Sequence, residues 1–520
     1  MEHRALVLLG CRVSPGYDVT CRPVFAPALS RVSGEDVGGE GLAVVVLLHY
    51  FSPDGCDAWD LAGRPLIRRD MPVLIDADLR FEDGRGPRPS TVMNRWLREL
   101  AVSGAASPRT WRVYAQVLKS WVEFLEARGS AVLADRQQLR DAVSAYAEHR
   151  LSGPMEERLS PASWNLAVKT LSAFYTWAAA EGHVRAVPFS HAQQVIIRPD
   201  GARVEVTRNL ATIRAGNAHA TRKYLERSYL DLLMNALAGN DPTGARDESF
   251  RGHETGRNAA VIGLALASGL RAQEFTHLTV YEVPPLPRRR TAIPVTLRLA
   301  PPTTKGGRGR SSWIDYDALA RVHDYITLER AVTVQESRWL PGDPLHIQDP
   351  TYEGAKINGT RRRWASVTPA ERLRLVSPGG GSALLAVQFG GRPFVDWASV
   401  LTRTSARIRA RFEPGFPHVH PHMTRHSFAM HTLERLVVGY YQQAAKLIVD
   451  TGGDDALALY LTKADPLLVL RDLLGHASVT TTQSYLHLLD TQRIYRDAYA
   501  AAVPAEDVKA AMADEVGGQF

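Results

Sequence analysis

Cysteine is scarce in this sequence. Only Cys11, Cys21 and Cys56 occur among 520 residues, and all three lie within the first sixty positions. Neither their number nor their spacing is typical of a disulfide framework or a zinc site. The sequence therefore predicts a protein of a reducing compartment, and we expect a cytoplasmic location.

Long hydrophobic runs are also missing. The longest early apolar run, residues 42–48, is too short to cross a bilayer and has neither the basic start nor the small-residue cleavage site of a signal peptide. It is typical of a strand or another buried segment. We therefore expect no membrane partner.

Acidic residues are outnumbered, and the formal net charge is +7. A positive balance favours polyanionic partners, with nucleic acid first among them, although an ordinary solvated surface can carry the same charge. The hydrophobic share of 45% and charged share of 22% are those of a folded globular protein. At this length we expect roughly two to four domains.

The organisation along the chain changes several times. Residues 1–85 form an extension of unknown role, and 86–190 have the pattern of a small helical domain. Within it, Ser107-Pro108 and Ser160-Pro161 each predict a helix start, and the aromatic residues that follow share a face with Leu and Val, as core residues do. Residues 191–220 lack a sustained period and predict a linker. A mixed domain follows over 221–490, and 491–520 form a C-terminal tail.

One β-hairpin is predicted in the mixed domain. Ile293, Val295, Leu297 and Leu299 alternate as in a half-buried strand. The turn falls at 303–307, and residues 311–314 form the returning strand. The predicted fold class is therefore mainly α with a small β-sheet (α+β).

Three separate motifs carry the candidate chemistry. In the first, Arg271 follows Gly269-Leu270, and Glu274, three residues on, shares its helical face and can orient the guanidinium. Alone, this is an ordinary surface ion pair. The last motif along the chain is Gly475-His476 followed by Tyr485. On its own it indicates only a turn and a half-buried tyrosine.

The second motif is rich in histidine and invites comparison with a metal site. His422, Arg425 and His426 lie on a helix that starts at Pro421, which places an imidazole and a guanidinium side by side. The histidine spacings do not match the zinc-hydrolase helix, and no cysteine or carboxylate cluster accompanies them. The pair suits an anionic phosphate, and we expect no metal and no other cofactor.

Together the motifs resemble the tyrosine recombinase (phage integrase) family. The family pattern is an Arg after a helix-ending Gly-Leu, a hairpin Lys, His-x-x-Arg-His, Leu-Gly-His and then Tyr, and all occur here in that order. The resemblance covers about 224–489, and 86–190 resemble the helical, SAM-like core-binding domain of the family. It implies a catalytic set of Arg271, Lys305, His422, Arg425, His476 and Tyr485, supported by Glu274 and His426.

The resemblance also implies a role for each residue type. Two arginines bind the scissile phosphate, Tyr485 attacks it, and His422 is the candidate base while His476 binds the phosphate. Lys305 protonates the departing 5′ oxygen. On its own, a lysine in a glycine-rich turn is equally typical of an exposed loop.

DNA contacts are expected on both domains. The predicted DNA-binding residues are Arg109, Arg112, Lys119, Lys169, Arg308 and Arg310. Long intervals after Lys305 and Arg425 imply insertions near 330–375 and 440–465. The first contains the run Arg361-Arg362-Arg363, which is either a solvated triplet or a DNA-backbone contact.

The resulting functional hypothesis is a site-specific recombinase or integrase. The resemblance implies double-stranded DNA as substrate, a homo-tetramer on paired DNA sites, and possible accessory DNA-bending or directionality factors. Two alternatives stay open: a type IB topoisomerase-like DNA relaxase, and a non-catalytic DNA-binding regulator of the same fold.

Overall fold

The chain divides into two compact units, Met1–Asn217 and Ala218–Phe520. The structure is a computed structural model that describes residues 46–52, 68–80, 82–83, 86–105, 107–197, 203–214, 224–335, 337–451, 465–489, 493–494 and 497. The predictions for residues 1–45, for most of the second insertion beyond 451 and for most of the C-terminal tail lie outside the described residues.

Four helices form the body of the first unit: α1 (Pro89–Glu99), α2 (Pro108–Glu126), α3 (Arg136–Ser152) and α4 (Pro161–Ala180). Each Ser-Pro pair starts a helix, with Ser107 and Ser160 in the N-cap position and proline directly inside. The Ser160 hydroxyl accepts a hydrogen bond from the Ser163 amide at 3.2 Å. This bond satisfies one of the amides that a helix start leaves without a partner.

The core of this unit is aromatic. Trp96, Trp121 and Trp164 are buried, and the indole N–H groups of Trp121 and Trp164 have partners inside. Trp121 Nε1 donates to the Tyr175 hydroxyl at 2.8 Å, and that hydroxyl donates to the Val132 carbonyl at 2.9 Å. The aromatic stripes predicted from the sequence therefore pack the interior and are not base-stacking surfaces.

Part of the N-terminal extension belongs to this core. Strands β1 (Val46–Tyr50) and β2 (Pro72–Asp76) pair antiparallel, and β3 (Glu82–Asp83) pairs with β4 (Gly86–Pro87). Val46 and Leu74 are buried in the same cluster as the helices. Asn94 fastens β2 to α1, since its side chain donates to the Leu74 carbonyl and accepts from the Leu74 amide, both at 2.7 Å.

The predicted linker contains regular structure. Strands β5 (His191–Ile197) and β6 (Arg203–Asn209) form an antiparallel hairpin with His191 opposite Asn209. Val195, Ile196, Val204 and Val206 are β-branched residues that favour strands. This signal was obscured in the sequence because the surrounding residues are polar and most of the hairpin is exposed.

The second unit is mixed, and the fold class predicted from the sequence is confirmed. Its helices are α5 (Arg227–Leu237), α6 (Thr255–Ser268), α7 (Ala272–Thr276), α8 (Tyr316–Thr327), α9 (Glu329–Val334), α10 (Pro369–Arg372), α11 (Trp397–Arg411), α12 (Pro421–Thr451), α13 (Pro466–Leu474) and α14 (Val479–Gln483). The predicted hairpin is β7 (Val295–Leu299) and β8 (Arg310–Ile314), antiparallel with Val295 opposite Ile314. Helix α6 lies buried at the centre of the main hydrophobic core.

The first predicted insertion contains a small sheet of its own. Strands β9 (Leu345–Gln348), β10 (Gly354–Ile357), β11 (Thr360–Arg363) and β12 (Leu375–Val376) are ordered β11-β10-β9-β12. A separate apolar cluster around Trp364 and Leu375 lies beneath it. A two-residue pair, β13 (Val387–Gln388) and β14 (Arg392–Pro393), follows.

One carboxyl group of the first unit predicts a pH effect on stability. Burial, followed by the charges of Asp76 and Glu123, raises the pKa of Glu126 to about 7. This folded-state pKa lies above the unfolded value. The contribution of the Glu126 carboxyl to the free energy of unfolding is therefore full below the unfolded pKa and is lost as pH rises through about 7. We expect Glu126→Gln, which mimics the neutral acid, to stabilise the protein at pH 8 by about 1 kcal/mol after allowance for solvent screening.

Urea unfolding of the unmodified protein and of Glu126→Gln at pH 5 and pH 8, followed by tryptophan fluorescence, measures this difference in the free energy of unfolding. Glu148→Gln, which changes an exposed carboxyl on α3, is the matched control. If the free energy of unfolding changed as much between pH 5 and pH 8 in Glu126→Gln as in the unmodified protein, the raised pKa of Glu126 would be contradicted.

Candidate active site

Arg271 is placed by the end of helix α6. The helix stops at Gly269, whose φ of +63° favours glycine, and a Cβ there would lie 2.3 Å from the Phe428 ring. Arg271 then occupies the N-cap of α7. Its side chain is 23% exposed, so part of the guanidinium stays accessible to an anion.

Glu274 is the buried acceptor at the centre of the site. Its carboxylate accepts from the Arg271 backbone amide at 2.7 Å and from Arg271 Nη1 at 3.1 Å. It also accepts from Arg310 Nη2 at 2.7 Å. One carboxylate therefore orients two guanidiniums, through charge-assisted hydrogen bonds.

Arg425 projects from α12 and is 2% exposed. Its Nη1 donates to the Gly269 carbonyl at 2.6 Å, and its Nη2 donates to the Leu474 carbonyl. Burial, followed by the charges of Arg271 and Arg310, lowers the pKa of Arg425 to about 9. Removing a cation from water and placing it beside two others disfavours its charged form.

The site consequently carries an excess of positive charge. Arg271, Arg310 and Arg425 interact with one another and with the Glu274 carboxylate. Three cations and one anion leave a net charge that a bound anion would offset. A phosphodiester has the charge and the paired oxygen acceptors that guanidiniums recognise.

Helix α13 brings His476 to the same cluster. The helix ends at Gly475 with φ of +61°, and a Cβ at this position would lie 2.5 Å from Arg310 Cδ. Arg310 donates to the Leu473 carbonyl, next to the carbonyl that Arg425 holds. His476 Nδ1 lies 3.0 Å from Thr482 Oγ1, which fixes the direction of the ring.

Tyr485 is buried, with 2% of its surface exposed. His426 Nδ1 is 2.7 Å from the Tyr485 hydroxyl oxygen. The sequence assigned the proton-accepting role to His422, but in the described contacts His422 packs on His426 with ring centroids 4.4 Å apart. The two histidines are one helical turn apart on α12 and lie on the same side of it, and His426 contacts the phenol.

Lys305 lies at the tip of the β7–β8 hairpin. It is exposed, between a short 3₁₀ turn at Pro301–Thr303 and two glycines with positive φ, Gly306 and Gly307. Within the described part of the chain it makes no ion pair or hydrogen bond. These contacts do not connect it to the other expected catalytic residues.

The predicted DNA-binding residues differ in their surroundings. Arg109, Lys169 and Arg308 are exposed. Arg112 pairs with Asp70 at 3.1 Å, and Lys119 pairs with Glu123. Arg310 is buried, with 8% of its side chain exposed, because Glu274 and the Leu473 carbonyl hold its guanidinium inside. The interior position of Arg310 favours a positioning role over contact with DNA.

Within the described ranges, no group of three or more His, Cys, Asp or Glu side chains is arranged to hold a metal ion. No helix in this part of the chain has the length and apolar character needed to cross a membrane.

Comparison with known proteins gives the same class by independent means. Residues 93–182 match the model of the phage integrase N-terminal SAM-like domain. Over this domain the chain is similar to phage integrases, and curated relatives align with a larger part of it.

The relatives are named tyrosine recombinases. The chain is 25% identical over 387 residues to tyrosine recombinase XerC of Xylella fastidiosa, covering 74% of this chain and 86% of that one. It is 25% identical over 422 residues to XerC of Bradyrhizobium diazoefficiens, covering 80% and 95%. A solved structure of the XerH site-specific recombinase bound to difH aligns at 15% identity and a TM-score of 0.39, covering 80% and 87%.

Arg310 is the residue whose placement the sequence did not indicate. From β8 its side chain pairs with Glu274 and donates to the Leu473 carbonyl of α13. Arg310 and Leu473 are 163 residues apart in the sequence. We expect Arg310→Met to lower the free energy of unfolding by about 3 kcal/mol, because it removes one member of a buried charge cluster.

Thermal unfolding of the purified variants measures this loss. Arg308→Met, an exposed residue of the same hairpin, is the matched control and should change stability by less than about 0.5 kcal/mol. Equal effects in the two variants would mean that the Arg310 contacts contribute nothing beyond a surface charge.

Proposed function

We propose that this chain is a site-specific DNA recombinase that cuts and rejoins DNA through a 3′-phosphotyrosyl intermediate. The observation that carries the proposal is the cluster of Arg271, Arg310 and Arg425 around one carboxylate, beside a tyrosine in contact with a histidine. Guanidiniums in this arrangement suit a phosphodiester, and the tyrosine is the candidate nucleophile.

The arginines bind and activate the scissile phosphate. As phosphorus becomes five-coordinate, the non-bridging oxygens gain negative charge, and Arg271 and Arg425 stabilise it with donors already held in place. Glu274 and the carbonyls of Gly269 and Leu474 supply that fixed geometry. His476 is a third donor to the same oxygens.

Tyr485 performs the attack. Its oxygen forms a bond to phosphorus while the bond to the 5′ oxygen breaks, and the phenolic proton passes to a neighbouring imidazole. His426 lies at 2.7 Å and is the nearest described acceptor, with His422 beside it. Lys305 delivers a proton to the departing 5′ oxygen.

The intermediate conserves the energy of the broken bond. One phosphodiester is exchanged for another, so a free 5′-hydroxyl from a second duplex can attack the phosphotyrosine and restore the DNA. The step requires neither ATP nor a metal ion. The net positive charge of the chain favours duplex DNA as substrate.

The family resemblance supports a homo-tetramer on two paired sites, assisted by accessory DNA-bending or directionality factors, in the cytoplasm. A type IB topoisomerase-like relaxase would use the same tyrosine chemistry without exchanging partners. The SAM-like domain over 93–182 favours the recombinase.

Covalent capture tests the proposal. The full chain is incubated with sheared, randomly nicked genomic DNA of the organism that encodes it, the reaction is denatured, and DNA that stays on the protein is sequenced. We expect adducts attached through a 3′ end and concentrated at one short sequence. Binding without any adduct would replace the recombinase with the non-catalytic regulator.

The same reaction in excess EDTA tests the independence from metal ions. We expect an unchanged yield, because arginines and Lys305 supply the positive charge. Activity that disappears on chelation and returns with magnesium or zinc would show that the histidine-rich segment around His422 binds a metal.

A further inference from the structure

The inserted sheet has an edge of consecutive arginines. Strand β11 lies at the end of the sheet order and carries Arg361, Arg362 and Arg363, all exposed. Neighbouring residues of a strand point to opposite faces, so the three guanidiniums surround the edge instead of lining one face. Such an edge presents charge in several directions at once.

The carboxylates of this sheet are already engaged by other cations. Asp349 pairs with Lys356 at 2.7 Å, and Glu353 pairs with Arg298 at 2.8 Å. Arg361 donates only to uncharged acceptors, the Asp349 backbone carbonyl and the Thr351 hydroxyl, both at 3.2 Å.

The other two arginines also lack a paired acid. Among the residues that the structure describes, Arg362 and Arg363 form no ion pair. Glu371 lies near Arg362, but its carboxylate accepts from the Thr368 amide and hydroxyl, both at 2.7 Å. Arg361 and Arg362 interact through charge with Asp349 and Glu371, but no described carboxylate forms an ion pair with the strand, so it carries an excess of positive charge.

The arginine strand lies beside the catalytic hairpin. The turn at Trp364–Ser366, which directly follows Arg363, packs against Pro301–Thr303, which ends two residues before Lys305. The ion pair between Arg298 of β7 and Glu353, which directly precedes β10, also joins the hairpin to the inserted sheet. An anion bound at the arginine strand is thus close to the leaving-group side of the proposed reaction.

A buried ion pair holds the sheet against the active site. Arg372 donates to both oxygens of Glu282, at 2.5 and 2.9 Å, and to the His277 carbonyl at 2.9 Å. His277 ends α7, and Arg271 begins it. A five-residue helix is about 7.5 Å long, so the anchor is close to the arginine that binds the scissile phosphate.

We propose that strand β11 binds the DNA phosphate backbone a few nucleotides from the scissile phosphate. Phosphates follow one another at about 3.4 Å of rise along each strand, and a duplex seated on Arg271 presents several of them toward the sheet. The proposal rests on the proposed function, since it takes the position of the DNA from the catalytic arginines.

The test is the salt dependence of binding to duplex DNA, either the captured sequence or, if no adduct forms, a random-sequence duplex. Arg361→Gln/Arg362→Gln/Arg363→Gln should reduce the log–log slope of affinity against salt by about 1 to 3, because each lost phosphate contact changes it by about 0.9. Arg362→Gln/Arg363→Gln retains the hydrogen bonds of Arg361 within the sheet and should still reduce the slope by about 1 to 2.

A second arginine triplet provides the matched control. Arg288, Arg289 and Arg290 are exposed, Arg290 pairs with Asp317, and the triplet precedes β7, at the end of the hairpin away from Lys305. Five residues of strand separate the two ends by about 17 Å. We expect Arg288→Gln/Arg289→Gln/Arg290→Gln to change the slope by less than about 0.5.

The outcomes separate this inference from the proposed function. Equal slope changes in the two triplets, or none at β11, would overturn the β11 contact even if covalent capture succeeds. A specific loss at β11 would support the contact, even if the unmodified protein formed no adduct and the recombinase assignment failed.

Discussion

Tyr485→Phe is expected to abolish covalent attachment to DNA, with a loss on the order of 10³-fold or more, and to retain specific binding. The substitution removes one oxygen and keeps the buried ring among Phe428, Leu470 and Leu474, so the packing changes little. The hydroxyl that faces His426 is the group that would bond to phosphorus. A nicked suicide duplex, denaturing electrophoresis and a parallel binding assay measure both effects.

Tyr352→Phe is the matched control. Tyr352 lies in the inserted sheet, where burial raises its pKa, and it should form adducts at the rate of the unmodified protein. An adduct that persists in Tyr485→Phe would show that another residue is the nucleophile.

Lys305→Ala is expected to slow cleavage by about 10²- to 10⁴-fold with little change in DNA binding. A general acid acts on the leaving oxygen only in the transition state, so its loss lowers the rate without weakening the ground-state complex. Replacing the 5′-bridging oxygen with sulfur gives a leaving group that needs no proton. That substrate should return the variant close to the rate of the unmodified protein in single-turnover cleavage.

Arg308→Ala provides the comparison on the same hairpin. It removes a neighbouring exposed cation, and we expect weaker binding that the sulfur substrate does not restore. If sulfur also fails to restore Lys305→Ala, Lys305 positions the DNA and is not the acid.

The structure bears on how the two proton transfers are divided. The described contacts place the imidazole of His426 on the phenol, whereas Lys305 is exposed at the end of a hairpin. Under the proposed function, acid and base would therefore belong to different elements, the β7–β8 hairpin and α12.

Local features were predictable from sequence because they depend on neighbouring residues. The Ser-Pro helix starts at 107 and 160, the alternating strand over 295–299 and the glycine ends of α6 and α13 each reflect backbone preferences within a few positions. The family motifs were equally readable, since residue type and order along the chain are sufficient to recognise them.

Other features were not local and were missed. The β5–β6 hairpin was interpreted as a linker, and Arg310 was assigned to the DNA surface although its guanidinium is buried. The anchor between Arg372 and Glu282 joins residues 90 positions apart, and no local pattern indicates such a pair.

The sequence by itself determined the mainly helical fold class and the resemblance to one family, with the residue types on which that resemblance rests. Only the tertiary structure decided that His426 contacts Tyr485, that Glu274 also pairs with Arg310, and that the turn after β11 packs against the turn before Lys305. The physical reason is the range of the interactions. Caps and strand alternation act over a few residues, whereas hydrogen bonds and charges act through space between segments that only the folded chain brings together.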